Sequence, residues 1–225
     1  MLDDADVEAL AQGRHADPFA VLGLHADAQG ALWLRAMLPG ATQVSVYGAG
    51  PHGRRIAALA QRDVAGVWEA RLPRRRKRFD YRLQVEWAGG ASGRYADPYA
   101  FESLIAPDDL HYLGEGSHLR PFTVLGAHPI ESGTVDGVRF AVWAPNATRV
   151  SVVGDFNAWD GRRHPMRRHK GGVWELFLPH AGAGDRYKFE LLGPQGELLP
   201  LKADPYARAA ELRPATASKI GRAHV

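Results

Sequence analysis

The sequence predicts an all-β protein: two tandem immunoglobulin-like β-sandwiches with a short N-terminal helix and a partly helical linker. Short runs of alternating apolar residues recur along the chain, with Gly, Pro and Asn between them. No long helical periodicity interrupts them within either half. The third observation is a repeat. Leu34 to Gly48 reads LRAMLPGATQVSVYG and Phe140 to Gly154 reads FAVWAPNATRVSVVG, with Pro, Ala, Thr, Val, Ser, Val and Gly coinciding. Pro18–Gly23 answers Pro121–Gly126, Gly66–Glu69 answers Gly172–Glu175, Tyr81–Leu83 answers Tyr187–Phe189, and Asp97–Ala100 answers Asp204–Ala207. Blocks in one order mark a tandem duplication of a unit of about 90 residues, far longer than a solenoid repeat.

In chain order, residues 1–13 read as a helix. Leu2, Val7, Leu10 and Ala11 approximate one apolar face, Asp3 or Asp4 can cap it, and Gly13 ends it. The first sandwich spans 14–103. Leu32 to Leu38 alternates as a strand, Val44 and Val46 follow, and a Gly/Pro/His loop runs from Gly48 to Gly53. Further strands fit Arg54–Leu59, Val67–Leu72 and Phe79–Trp87, and Gly89-Gly90 makes a turn before the last one. Residues 104–119 form the linker, with helical character around Ala106–Leu113. The second sandwich spans 120–210. The alternation of Val138, Phe140 and Val142 ends at Pro145-Asn146-Ala147, since proline cannot donate to a ladder, and Val150–Gly154 resumes as a second strand. Leu198–Leu201 is expected as its last strand. Residues 211–225 follow as a junction, and Ile220–Val225 reads like a translated sequencing adapter, so the natural frame is expected to be lost after about Lys219.

Composition narrows the classes. Hydrophobic content of 45% and charge of 24% suit a globular chain that buries a modest core in each unit. Zero cysteines exclude disulfides, zinc thiolates and cysteine nucleophiles, and a cytoplasmic address is expected. There is no run long enough to span a bilayer and no apolar h-region, so no membrane partner is expected. Net charge is +3, with basic residues gathered at Arg74–Arg78 and Arg162–Lys170. The first cluster lies between strands, where a solvated hairpin turn is expected, and no aromatics interleave for base stacking, so no nucleic-acid partner is expected. His164 and His169 stand five apart on a basic loop without a carboxylate partner, which argues against a metal site. No cofactor is expected.

The tryptophans divide by their place in the strand pattern. Trp174 shares a face with Leu176 and Leu178, and Trp68 with Ala70 and Leu72, so both are expected in the core. Trp143 alternates against the Phe140 face and is expected to cover the linker or a neighbouring domain. Trp159 lies on a loop beyond Gly154, and Lys188 points outward between Tyr187 and Phe189. A ligand contact and interdomain packing are the two readings of Trp159.

At Asp17–His25, Gly116–His128, Gly137–Asn146, Val150–Met166, Leu201–Tyr206 and Arg213–Ser218, residues 5 to 219 resemble bacterial 1,4-α-glucan (glycogen) branching enzymes of the α-amylase superfamily. That resemblance implies two immunoglobulin-like modules of the family-48 carbohydrate-binding class ahead of a (β/α)8 barrel, which carries the nucleophile and the acid/base. The barrel is missing here, so no residue inherits a catalytic role; the partners implied are an α-glucan and that barrel in cis. Asp155 and Asp160, the nearest carboxylate pair, read as turn residues. The resemblance further implies that Trp159, Lys188 and the neighbouring Asn157 contact glucan. A second stacking tryptophan of such modules is absent, Leu198-Leu199-Pro200-Leu201 standing there, and the first unit has Ala49–Gly53 in place of the aromatic loop. The first unit reads as scaffold or as a determinant of chain-length preference. A stand-alone glycogen-binding regulatory module and a debranching enzyme are the alternatives; the duplication and the Arg213–Ser218 junction weigh against the first.

Overall fold

A computed structural model describes residues 1–50, 52–73 and 75–222. It divides into two compact units, Met1–Phe101 and Glu102–Val225.

The first unit opens with helix α1 (Asp4–Ala11), whose Asp3 side chain accepts the Asp6 N–H and caps it. Two antiparallel sheets follow. One contains β1 (Gly23–Ala26), β2 (Leu32–Met37), β5 (Ala60–Asp63) and β6 (Val67–Leu72), in the order β1-β2-β6-β5. The other contains β3 (Ala41–Gly48), β4 (Arg55–Ala58), β7 (Tyr81–Trp87) and β8 (Ser92–Tyr95), in the order β4-β3-β7-β8. Alternate residues of both sheets, Leu34, Val46, Trp68, Leu72 and Leu83 among them, close one core between the layers.

The second unit repeats the plan with its own helix, α2 (Pro107–Glu115). Its sheets are β12-β13-β10-β9 and β11-β14-β16-β15. The first is built from β9 (Gly126–Ser132), β10 (Val135–Trp143), β12 (Arg167–Arg168) and β13 (Val173–Pro179). The second is built from β11 (Arg149–Gly154), β14 (Arg186–Leu192), β15 (Ala209–Ala210) and β16 (Ser218–Lys219). Phe140, Val152, Trp174, Leu176, Tyr187 and Phe189 are buried, and Tyr187 sets edge contacts with Phe140 at 5.1 Å and Phe189 at 5.9 Å. Trp68 and Trp174 are core residues, as their strand alternation predicts.

The repeated motif has a topological meaning. β2 and β3 lie in different sheets, as do β10 and β11, so each motif carries the chain from one layer to the other. The turn is built identically in both copies. Leu38 and Ala144 N–H groups donate to Gly66 and Gly172 carbonyls at 2.7 and 2.9 Å. Both glycines have positive φ, and a Cβ on either would come within 2.6 Å of Pro39 or Pro145. The coincident Pro and Gly residues of the two copies therefore face each other across the crossover.

Several expectations need correction. Arg74–Arg78 does not cap a hairpin: β6 and β7 belong to different sheets, and Arg74 lies outside the described residues. Arg78 instead donates to the Leu24 carbonyl at 2.8 Å, and the Arg75 guanidinium covers Phe79 at 4.0 Å. Leu198–Leu201 is not a continuous strand. It touches β14 through single bridges at Leu198 and Lys202, with Pro200 unable to donate between them. The strand partner of β14 on that side is β16, which follows the 211–217 segment. Ile220 is buried, and its N–H donates to the Asp185 carbonyl at 3.0 Å. The 104–119 segment contains α2, whose Leu113 packs with Ile105, Val124, Leu125, Ala141 and Val173.

Candidate functional site

Beyond β11 the chain makes one tight turn, Asp155–Asn157, and then places Ala158 and Trp159 in the left-handed region at φ 55° and 60°. Two consecutive non-glycine residues at positive φ are costly and persist only where their surroundings fix them. Asn157 does that fixing. Its Oδ1 accepts the Gly154 N–H at 2.9 Å, and its Nδ2 donates to the Val152 carbonyl at 2.9 Å and lies 2.9 Å from His164 Nδ1. Only 1% of Asn157 is exposed. Its amide is spent inside the fold, so Asn157 shapes the loop and offers no group to a ligand, contrary to its expected role as a contact.

Trp159 is half-buried on this loop, and its N–H closes onto the Gly154 carbonyl at 3.2 Å. Asp155 opens the same loop. Asp155 is clamped in turn by Arg186 Nε and Nη2, each at 2.9 Å. The Arg186 hydrogen bonds hold the Asp155 carboxyl below its ordinary range. Arg186 also reaches Glu211 at 3.2 Å, which joins the 211–217 segment to the cluster.

Lys188 lies two residues along β14 from Arg186, opposite Val153. Successive outward residues of a strand share a face, so Arg186 and Lys188 stand on the side to which the Trp159 loop is tied. The Lys188 ammonium donates to Thr216 Oγ1 at 2.6 Å. Thr216 and Glu211 were not foreseen: the sequence shows them as junction, and only the pairing of β16 with β14 brings them here.

Asp160 is likewise consumed, by Arg162 Nε at 2.9 Å and Nη2 at 2.7 Å. Burial opposes its charge, but the Arg162 hydrogen bonds outweigh that and keep its carboxyl low. Two carboxylates both held ionised by arginine do not divide into an acid and a nucleophile. His169 does have a carboxylate partner, Glu175 at 2.8 Å, because β12 folds back onto β13 and brings the two together. His164 packs against Phe156 and Asn157, and desolvation, then Arg163, push its pKa down to about 3. Among the described residues no group of three or more His, Asp or Glu could hold a metal ion, and no helix is long and apolar enough to cross a membrane.

Each unit is a sandwich of two antiparallel sheets, and the second carries Trp159 on a loop beyond β11 and Lys188 on β14. Residues 3–99 match the N-terminal domain of alpha-1,4-glucan branching enzyme GlgB. Residues 124–207 match carbohydrate-binding module 48, the isoamylase N-terminal domain. The chain is 52% identical over 220 residues to the 1,4-alpha-glucan branching enzyme GlgB of Pseudomonas putida, covering 97% of this chain and 29% of that protein. It is 53% identical over 226 residues to the same enzyme of Cupriavidus necator, covering 98% and 30%. A pullulanase structure from Anoxybacillus sp. LM18-11 aligns with 88% of this chain and 27% of that one, at 15% identity and a TM-score of 0.37. The similarity lies in the N-terminal two-module region of 1,4-alpha-glucan branching enzymes. The chain spans under a third of the length of those relatives.

Proposed function

We propose that the second unit binds an α-glucan chain at Trp159 and Lys188, and that the first unit serves as scaffold. The observation that carries this is the Trp159 loop itself. The loop that carries the half-buried Trp159 at positive φ is braced by the Asn157 amide and by the Asp155–Arg186 clamp, so its backbone is pre-organised. A sugar face stacks on the indole, and Lys188 and Thr216 supply hydrogen bonds to its hydroxyls. In a protein of the relatives' length, the modules would hold glucan for a barrel that cuts an α-1,4 chain and transfers it to a 6-hydroxyl. A cytoplasmic address belongs to the same proposal.

Native electrophoresis of the chain in gels cast with and without glycogen tests it. Retardation by glycogen that Trp159→Ala abolishes is the expected result. Equal mobility of both proteins in both gels would assign Trp159 to packing instead.

A further inference from the structure

The face that carries the helix is closed in the first unit and open in the second. The repeat aligns Phe19 with Phe122, Met37 with Trp143, and Tyr99 with Tyr206. In the first unit Met37 and Tyr99 are buried with Leu2, Val7 and Leu10, and Phe19 meets Tyr99 edge-on at 4.9 Å. In the second, Phe122 is 54%, Trp143 55% and Tyr206 36% exposed. Leu113 is the one buried residue of α2, and Leu110, which aligns with Val7, is only partly covered.

The opening is a groove with order in it. A hollow of about 580 Å³ lies among Leu113, His118, Pro121, Leu125, Trp143 and Tyr206. A second hollow, of about 510 Å³, shares His118 and runs past Tyr112, Ser117 and Leu119. The walls are fixed. The Trp143 indole N–H donates to the Gly171 carbonyl at 2.9 Å. His118 is held by Asp109 at 3.0 Å and by the Arg120 N–H at 3.1 Å. Tyr206 lies on Gly126, where a Cβ would meet it at 3.1 Å, and Gly126 pairs with Ala141, two residues from Trp143 on the same face of β10.

We propose that this groove is a second contact for a linear α-glucan, separate from Trp159 and on the opposite sheet of the sandwich. The inference rests on the reading of the second unit as a carbohydrate-binding module. Trp143 and Tyr206 offer rings to sugar faces, and the partly exposed Asp109 carboxylate beside His118 can accept from sugar hydroxyls. Two hollows joined at one residue suit successive rings of a chain better than a single sugar. A purely apolar protein segment would instead strip water from the Asp109 carboxylate without replacing it. With two contacts on opposite faces, a branched particle would be held with avidity that no single short chain provides.

The test is a titration of the 15N-labelled chain with maltoheptaose, following the tryptophan indole resonances. Trp143→Ala and Trp159→Ala each identify one resonance by its loss. Both indoles are expected to shift on saturable curves, and each variant should leave the other's curve in place. Trp143→Ala should weaken binding at the groove roughly tenfold, and Trp143→Tyr should restore most of it. Since Trp143 is largely exposed, the alanine variant should keep the other indole positions, which serves as the folding control. A Trp143 resonance that stays fixed while Trp159 shifts overturns this inference and leaves the Trp159 proposal standing. If neither moves, both fall. A Trp143 shift that follows protein concentration and ignores sugar overturns it in favour of contact between copies.

Discussion

Arg186 grips the Asp155 carboxylate through two nitrogens, each at 2.9 Å, and so ties the loop of Trp159 to the strand of Lys188. The pair is exposed, so its worth to global stability is small. In the proposed glucan contact its part is positional. Arg186→Ala is expected to leave thermal unfolding nearly unchanged while reducing retardation by glycogen. Full retardation in the variant would show that the Trp159 loop holds its shape without the clamp.

Asn157 has the opposite profile. Removing its amide orphans the buried Gly154 N–H and Val152 carbonyl, and each such group costs about 1–3 kcal/mol. Asn157→Ala should therefore lower the denaturant midpoint by an amount equivalent to about 2–4 kcal/mol. Glucan binding should fall with it. A loss of binding without any loss of stability would return Asn157 to the role of a direct contact.

Asp97 makes the first unit sensitive to pH. Burial, against hydrogen bonds from the Tyr81 hydroxyl at 2.6 Å and the Tyr99 N–H at 3.0 Å, raises its pKa from 3.8 to about 6. A carboxyl raised in the folded state contributes fully below its unfolded pKa and loses that contribution as pH rises through the folded one. Between pH 4 and 6 this group should therefore remove on the order of 2–3 kcal/mol. Unfolding curves across that window should show a flatter pH dependence for Asp97→Asn than for the parent chain.

His164 works in the other direction in the second unit. Its pKa falls from 6.5 to about 3, so folding favours the neutral ring. The contribution is complete above pH 6.5 and is lost progressively as pH falls toward 3. His164→Gln should lessen acid destabilisation of the second unit, monitored by amide exchange of β13 and β14. An unaltered acid limb would place the sensitivity elsewhere.

Glu175 anchors α2. It accepts from Ser103 Oγ and the Leu104 N–H at 2.7 Å, the Ile105 N–H at 3.1 Å and His169 at 2.8 Å. Burial opposes its charge, and these bonds outweigh it and hold the carboxyl below its ordinary value. Glu175→Ala should speed amide exchange across Pro107–Glu115 far more than across β14. Uniform acceleration would mean that the helix is not a separately held element.

Much of this architecture was legible because strand alternation and duplication are local properties of sequence. Phe140, Trp174 and Tyr187 are core residues for the reason their spacing suggests. Sheet membership was not legible. Leu34–Gly48 and Phe140–Gly154 each look like a pair of neighbouring strands, and only the sandwich shows that Pro39 and Pro145 stand where the chain changes layer. At the candidate site, Trp159 and Lys188 were readable as outward residues, whereas Asn157 was not readable as buried. An Asn in a loop looks the same in sequence whether its amide faces solvent or its own backbone. The Arg186, Glu211 and Thr216 partners depend on a pairing between distant segments that no spacing rule announces.

The glutamate that holds the helix has a twin. Glu69 accepts the Leu2 N–H at 2.8 Å in the first unit, and Arg35 and Arg62 complete its shell at 2.9 and 2.6 Å. The piece of gene that was once copied therefore included a helix in front of its sandwich as well as the sandwich. Anyone dividing the coding sequence to express the second copy alone should cut ahead of Ser103, because a boundary at 120 would leave Glu175 ionised and buried with most of its donors discarded.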